Sequence, residues 1–348
     1  PRNSTSRTSR DFDARRDGPY GRPSLTMQRR KSSRHGTSTV TSPREEPNED
    51  DVVPTLDELS EPTQTMTATF EPDPPPLNYS LHARKKAIII FWTLILIDCV
   101  VIPIALYFGL WYGTTRKQLS ANAVFSIVTA GLGGVSILEY ILRLRQLLKK
   151  DSTCRPIGAP RGYLDFFHWN FSVGWFFVVI ELIVGTIPRH PPMRLLSMPV
   201  ASMLFAFGTE LLIVDFLRIF QYPSPIRISS IPKGSQLRPC IYHIIEDVCA
   251  VDGGGGTAFR EALNKRYEAS HTFRAMLRRL GLFWAFGGEG AAVVVTVIVF
   301  TTDKEPAYVV GWAAPFVWAG FWALLTYGYV KYMLKKEKVH WREGVLQK

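Results

Sequence analysis

The sequence predicts an all-α, polytopic integral membrane protein with about six transmembrane helices and an N-terminal tail that lacks fixed structure. Three observations predict it. Six apolar runs are each close to the roughly 20 residues a helix needs to cross a hydrocarbon core about 30 Å thick. The Lys and Arg residues between the runs are distributed unevenly, and residues 1–80 are almost devoid of large apolar side chains. The overall apolar fraction of 46% conceals this division, because all nine Trp lie beyond residue 80.

The tail, residues 1–80, is rich in Ser, Thr, Pro and Arg and cannot bury enough apolar surface to offset the entropy of ordering it. Its charge is segregated: Arg2 to Arg44 is basic, whereas Glu45 to Asp73 holds ten acids and no Lys or Arg. Such blocks are solvated tails, with docking of a protein partner as the sharper alternative. "RRKSS" and "TSPR" make Ser32, Ser33 and Ser42 weak phosphorylation candidates, where phosphate would cancel positive charge.

The apolar runs fall at 87–112, 121–142, 166–187, 195–217, 280–300 and 308–330. They are continuous rather than alternating, so helices are expected and barrel strands are not. Trp111, Tyr112, Trp169 and Tyr308, at their ends, suit headgroup level. The remaining organisation follows: four helices within residues 81–217, a helical connection over 218–279, two helices within 280–330 and a basic tail over 331–348. "HARKK", "RLRQLLKK", the long connection and "KYMLKKEK" are basic, while the other connections carry only Arg116, Lys117, Arg189, Arg194 and Lys304. This asymmetry predicts cytoplasmic termini, in an endomembrane or the plasma membrane. It also accounts for the net charge of +11 through membrane lipids, including anionic headgroups, and not through nucleic acid, for which no binding motif is present.

In the long connection, Pro239 suits a first helical turn, and Ile241, Ile244, Ile245 and Val248 follow at helical spacing. A second helix groups Phe259, Ala262, Leu263 and Tyr267, with Arg260 on another face. A third, from Ser270, leads into the fifth span and offers Arg274, Arg278 and Arg279 to lipid headgroups. Between the first two lies "VDGGGGTAF", Val251 to Phe259. A phosphate loop needs a preceding strand and a Gly-Lys-Ser/Thr ending, and both are missing. The run reads as a stop and hinge, with Gly253 in a left-handed cap and Asp252 or Thr257 capping; anion binding by exposed amides is the alternative.

Buried charge is the main chemical signal. Asp98, Glu181, Glu210 and Glu289 lie within spans, roughly 12–20 Å from the nearest flank at 1.5 Å per residue. An ionised carboxylate at that depth costs about 2.5–3.5 kcal/mol, so these groups must be protonated, hydrated or paired with a bound cation. Glu139 and Asp215, near helix ends, have Arg143 and Arg218 within reach. Glu289 sits in "FGGEGAA", where glycines could unwind the helix or pack it closely. His168 and Asn170 read as interfacial. Cys154 is a weak palmitoylation candidate. Cys240, His243 and Cys249 lack zinc spacing, so no metal is expected, and no cofactor motif is present.

The stretch from Tyr222 to Arg274, "YPSPIRISSIPKGS…IYHIIEDVCAVDGGGGTAFREALNKRYEASHTFR", resembles a block of uncharacterised multi-pass membrane proteins of filamentous fungi. The resemblance implies a fungal origin and an intracellular or plasma-membrane location, and no activity. Two function classes follow from the residues: a proton- or cation-linked transporter or channel-like protein using the four acids, or a non-catalytic scaffold or regulator acting through its tail. A third, an intramembrane enzyme acting on a lipid or terpenoid, would use a desolvated acid as a proton donor.

Overall fold

The computed structural model describes residues 73–346 except 81, 114–119, 132 and 133. The phosphorylation candidates Ser32, Ser33 and Ser42, and nearly all of the tail, lie outside the described residues. Among the described residues there are helices and two isolated backbone bridges, and no strand.

The first apolar run is α1 (Lys85–Leu96) and α2 (Ile102–Tyr112), joined by a π-helical turn at Ile97–Val101. The second is α3 (Ala121–Gly131) and α4 (Gly134–Leu148). Next come α5 (Phe166–Thr186), the short α6 (Met193–Leu196) and α7 (Pro199–Ile219). Then follow α8 (Cys240–Ala250), α9 (Gly256–Ala269), α10 (His271–Thr301) and α11 (Lys304–Leu346). Among the described residues, six helical segments are long and apolar enough to cross a membrane. Their outer faces leave large apolar side chains bare, with Val317 73% and Leu324 and Ile187 71% exposed, a surface that a water-soluble monomer rarely carries.

The fourth span begins at Pro199 and not at Leu195. Proline is suited to the first helical turn, and α6 absorbs the preceding residues. Tyr308 is buried against Tyr107, Phe125 and Trp312. Helix α7 lies at the centre and packs against α5, α10 and α11. It crosses α10 closely because Gly208 faces Gly288: a methyl group on Gly208 would lie 3.0 Å from Glu289, and one on Gly288 3.9 Å from the Gly208 Cα.

Helices α8 and α9, with loops 149–165 and 220–239, form a polar cap over one end of the bundle. At about 1.5 Å per residue, the 43 residues of α11 greatly outrun a hydrocarbon core, and its last turns reach the cap. There Met333 joins an apolar cluster with Tyr242, Phe259, Leu263, Phe273 and Leu277. The buried Glu337 takes a hydrogen bond from Arg266 Nη2 at 2.5 Å. The end of the stretch expected to lack order is also seated here: Pro74 and Pro75 are buried, and Leu77 and Tyr79 pack on the same cluster.

Arg266→Met leaves Glu337 without its partner in a dry site and is expected to lower stability by about 3–5 kcal/mol. The double variant R266M/E337M should recover most of the loss, as measured by thermal unfolding of the detergent-solubilised protein.

Candidate functional site

The four acids expected within the spans each have a hydrogen-bond donor of their own. Asp98, on the π-helical turn, accepts from the backbone N–H of Val135 on α4 at 3.2 Å. Glu181 on α5 accepts from the Ser202 hydroxyl of α7. Glu210 on α7 accepts from Asn170 Nδ2 of α5 at 2.5 Å, and Glu289 on α10 accepts from the Thr209 hydroxyl of α7 at 2.7 Å. Three of the four therefore belong to or bond α7. A cleft of about 230 Å³ between α4 and α5 is lined by Ile137, Tyr140, Ser172 and Trp175, and by none of them.

Helix α10 continues unbroken through "FGGEGAA". Gly287 serves packing, since a methyl group there would meet Trp322 at 2.5 Å, whereas one on Gly290 would meet nothing within 4 Å. His168 and Asn170, at the start of α5, are buried within the protein. Asn170 holds Glu210, while His168 stacks on Tyr140 at 4.2 Å with neither ring nitrogen hydrogen-bonded.

The densest chemistry lies in the cap. Asp165 N-caps α5 through the His168 N–H at 2.9 Å and takes Arg143 Nη2 at 2.5 Å. Arg143 also bonds Asp252, so its partners lie far along the chain and the expected Glu139 stays exposed. The Arg218–Asp215 pair forms as expected, at 2.8 Å. Arg260, fully buried on α9, donates to Asp247 at 2.6 Å, to Glu246 at 3.0 Å and to the Cys154 carbonyl at 2.9 Å. Asp247 further accepts from the Phe167 N–H at 3.2 Å and from Ser229, and Glu246 accepts from Ser230.

Four carboxylates thus surround two guanidinium groups. Burial, together with the charges of Asp165 and Glu246, pushes Asp247 up to about 8, while Glu246 is held below its usual range despite burial by its bonded partners Arg260 and Ser230. The proton belongs to the pair more than to one residue. Burial lowers His243 and keeps it neutral, with both ring nitrogens unbonded and Nδ1 3.9 Å from Glu246 Oε2.

Helical spacing located α8 and misjudged its faces. Tyr242, His243, Glu246 and Asp247 are the buried side, whereas Ile241, Ile244, Ile245 and Val248 are only half-buried. Phe259, Ala262 and Leu263 are buried on α9 as expected, but so are Arg260 and Arg266.

Most backbone amides of the glycine run are already taken up within the protein. The N–H groups of Gly253, Gly254, Gly255 and Thr257 donate to Val248, Val251, Cys249 and Thr153 carbonyls. The left-handed residues are Gly254 (φ 60°) and Gly256 (φ 62°), and not Gly253. Asp252 and Thr257 are drawn to Arg143 and the Thr153 carbonyl and cap nothing. Of the lipid-contact candidates, Arg274 donates to the Glu268 carbonyl at 3.0 Å, while Arg278 and Arg279 are exposed. Cys154 is half-buried, and among the described residues no group of His, Cys, Asp or Glu is arranged to hold a metal.

The raised Asp247 value fixes a pH dependence. The folded pKa lies above the unfolded one, so the contribution is complete below about pH 4 and lost as pH rises through about 8. Unfolding temperature should fall over that window in wild type, and Asp247→Asn should flatten the profile. An identical slope in the variant would place the proton elsewhere.

The chain matches no curated protein and no solved structure. One family model matches residues 63–341, and it takes in α1 to α10, most of α11, the cap, and Asp98, Glu181, Glu210 and Glu289. By that match the chain belongs to the family of the domain of unknown function DUF8766.

Proposed function

We propose that the protein spans a membrane six times, with both termini cytoplasmic, and conducts protons along α7. The observation that carries this reading is the gathering of three acids along one central helix: Glu210 belongs to α7, and Glu181 on α5 and Glu289 on α10 bond its Ser202 and Thr209. Ser202 and Thr209 are seven residues apart and therefore occupy one stripe, roughly 10 Å from each other. Neutral carboxylic acids can both give and accept a proton, and a water chain bridges the interval between Glu181 and the other two. Glu181 Oε2 is buried without a partner and is the natural contact for such a water. Asp98, bonded to α4, stays outside this line.

The orientation rests on the basic residues that gather on the cap side, among them Lys149, Lys150, Arg155, Arg161 and Arg227. In microsomes the Asn3 sequon should remain unglycosylated; a glycan at Asn3 would invert the topology.

Flux is tested in proteoliposomes enclosing a pH-sensitive dye, with a potassium diffusion potential as driving force. Wild type should acidify the lumen faster than protein-free vesicles. Glu210→Gln and Glu289→Gln, which keep an acceptor for Asn170 and Thr209, should slow it at least tenfold, and Asp98→Asn should not. The second reading, a non-catalytic scaffold, is favoured by the separate donor that each acid has. Wild-type vesicles no leakier than empty ones would establish it in place of conduction.

A further inference from the structure

Three arginines at the cap spend their charge inside the protein: Arg143, Arg260 and Arg266 each face a buried carboxylate. The face where α7 ends beside α9 and α10 is different. Arg238 lays its guanidinium 4.6 Å from the ring centres of both Tyr242 and Tyr267, and bonds Tyr242 and Asn264 at 2.5 Å and Glu268 at 3.2 Å. Arg274, bonded to the Glu268 carbonyl, stands beside Tyr267 in the chain's path from α9 into α10, and Arg278 follows one turn later.

The α7–α10 crossing brings the fourth arginine. Gly208 meets Glu289 and Gly281 meets Asp215, which fixes the two helices antiparallel and in register. Arg218, three residues beyond Asp215, is therefore level with Arg278, three residues before Gly281. Burial raises the Tyr267 hydroxyl above its ordinary value, and the charges of Arg238, Arg218, Arg274 and Arg278 oppose that rise. Its half-buried hydroxyl has no hydrogen-bond partner among the described residues.

Asp215 and Glu268 neutralise Arg218 and part of Arg238. Close to two positive charges are left over, with a phenolic O–H among them. Planar guanidinium forks and a hydroxyl donor match the oxygens of a tetrahedral phosphate, and the site opens where the bundle leaves its apolar zone. Arg279, one residue on from Arg278, projects about 100° away around α10 and does not belong to the set.

We propose that Arg218, Arg238, Arg274 and Arg278, gathered about the Tyr267 hydroxyl, form a binding site for a phosphate monoester, carried by an anionic lipid headgroup or free in solution. The site is independent of proton conduction along α7. Full-length protein in phosphatidylcholine nanodiscs, titrated calorimetrically with dioctanoyl phosphatidic acid and separately with inorganic phosphate, tests it. Empty nanodiscs supply the baseline.

Arg274→Gln and Arg278→Gln should each weaken phosphatidic acid binding about tenfold, the usual scale for one charge-assisted contact. Tyr267→Phe should weaken it less, Arg278→Lys should retain most of it, and Arg279→Gln should leave it unchanged. Both glutamine variants alter surface-reaching side chains, and an unchanged melting temperature confirms their fold. Equal affinity for inorganic phosphate identifies the soluble anion as ligand; binding of phosphatidic acid alone identifies the lipid. The site is refuted if wild type binds neither probe, or if Arg279→Gln loses as much affinity as Arg278→Gln.

Discussion

The cap is held by one buried electrostatic arrangement, the two guanidinium groups of Arg143 and Arg260 set among Asp165, Glu246, Asp247 and Asp252. Charges taken out of water cost several kcal/mol each, and their attraction offsets this only when geometry is good and the remaining donors and acceptors are also used. That condition is met at Asp247, whose oxygens take Arg260, Ser229 and the Phe167 N–H. The same bonds tie α8 to α9 and to the start of α5, and the Cys154 carbonyl adds the loop after α4. Lipid-facing helices gain little from the hydrophobic effect among themselves. A cap whose polar groups demand one another fixes how the helix ends stand relative to each other.

Which parts of this were legible in the sequence follows from the range of each interaction. A transmembrane helix is a local property, so continuous apolar runs located the spans, and α8 and α9 emerged from local spacing and Pro239. The ends were less well marked. Apolarity stops where the bilayer would stop, whereas α10 and α11 continue beyond it, held by Arg266–Glu337 and the Met333 cluster. The cap network could not be read at all. Arg143 had Glu139 four residues earlier, the pairing that helical spacing favours, and chose Asp165 and Asp252, 22 and 109 residues away. Periodicity assigns polar residues to water by default, and it fails where polar faces meet each other: the buried side of α8 is its acidic side.

The two glycine-rich stretches illustrate the same limit from the side of the backbone. Glycine permits a left-handed turn, an anion nest, a hinge or a close helix crossing, and the sequence alone does not choose among them. In residues 253–255 neighbouring carbonyls take up the amides that an anion nest would use. Around Glu289 the choice is made by Trp322 and Gly208, which press on α10 and leave its helical bonds intact.

The acids of the bundle then have to be understood through α7 and not through a common cavity. A carboxyl group in an apolar layer needs at least one partner, and a central helix bearing Ser202, Thr209 and Glu210 supplies partners to neighbours on both sides. If packing alone were at stake, amides would serve equally and would carry no cost of ionisation. Carboxyl groups differ from amides in one respect that matters inside a membrane: they can lose a proton and regain it. One of them on α7 and two more bonded to it, with Glu181 Oε2 left without a partner, form the arrangement on which the proposed proton exchange rests.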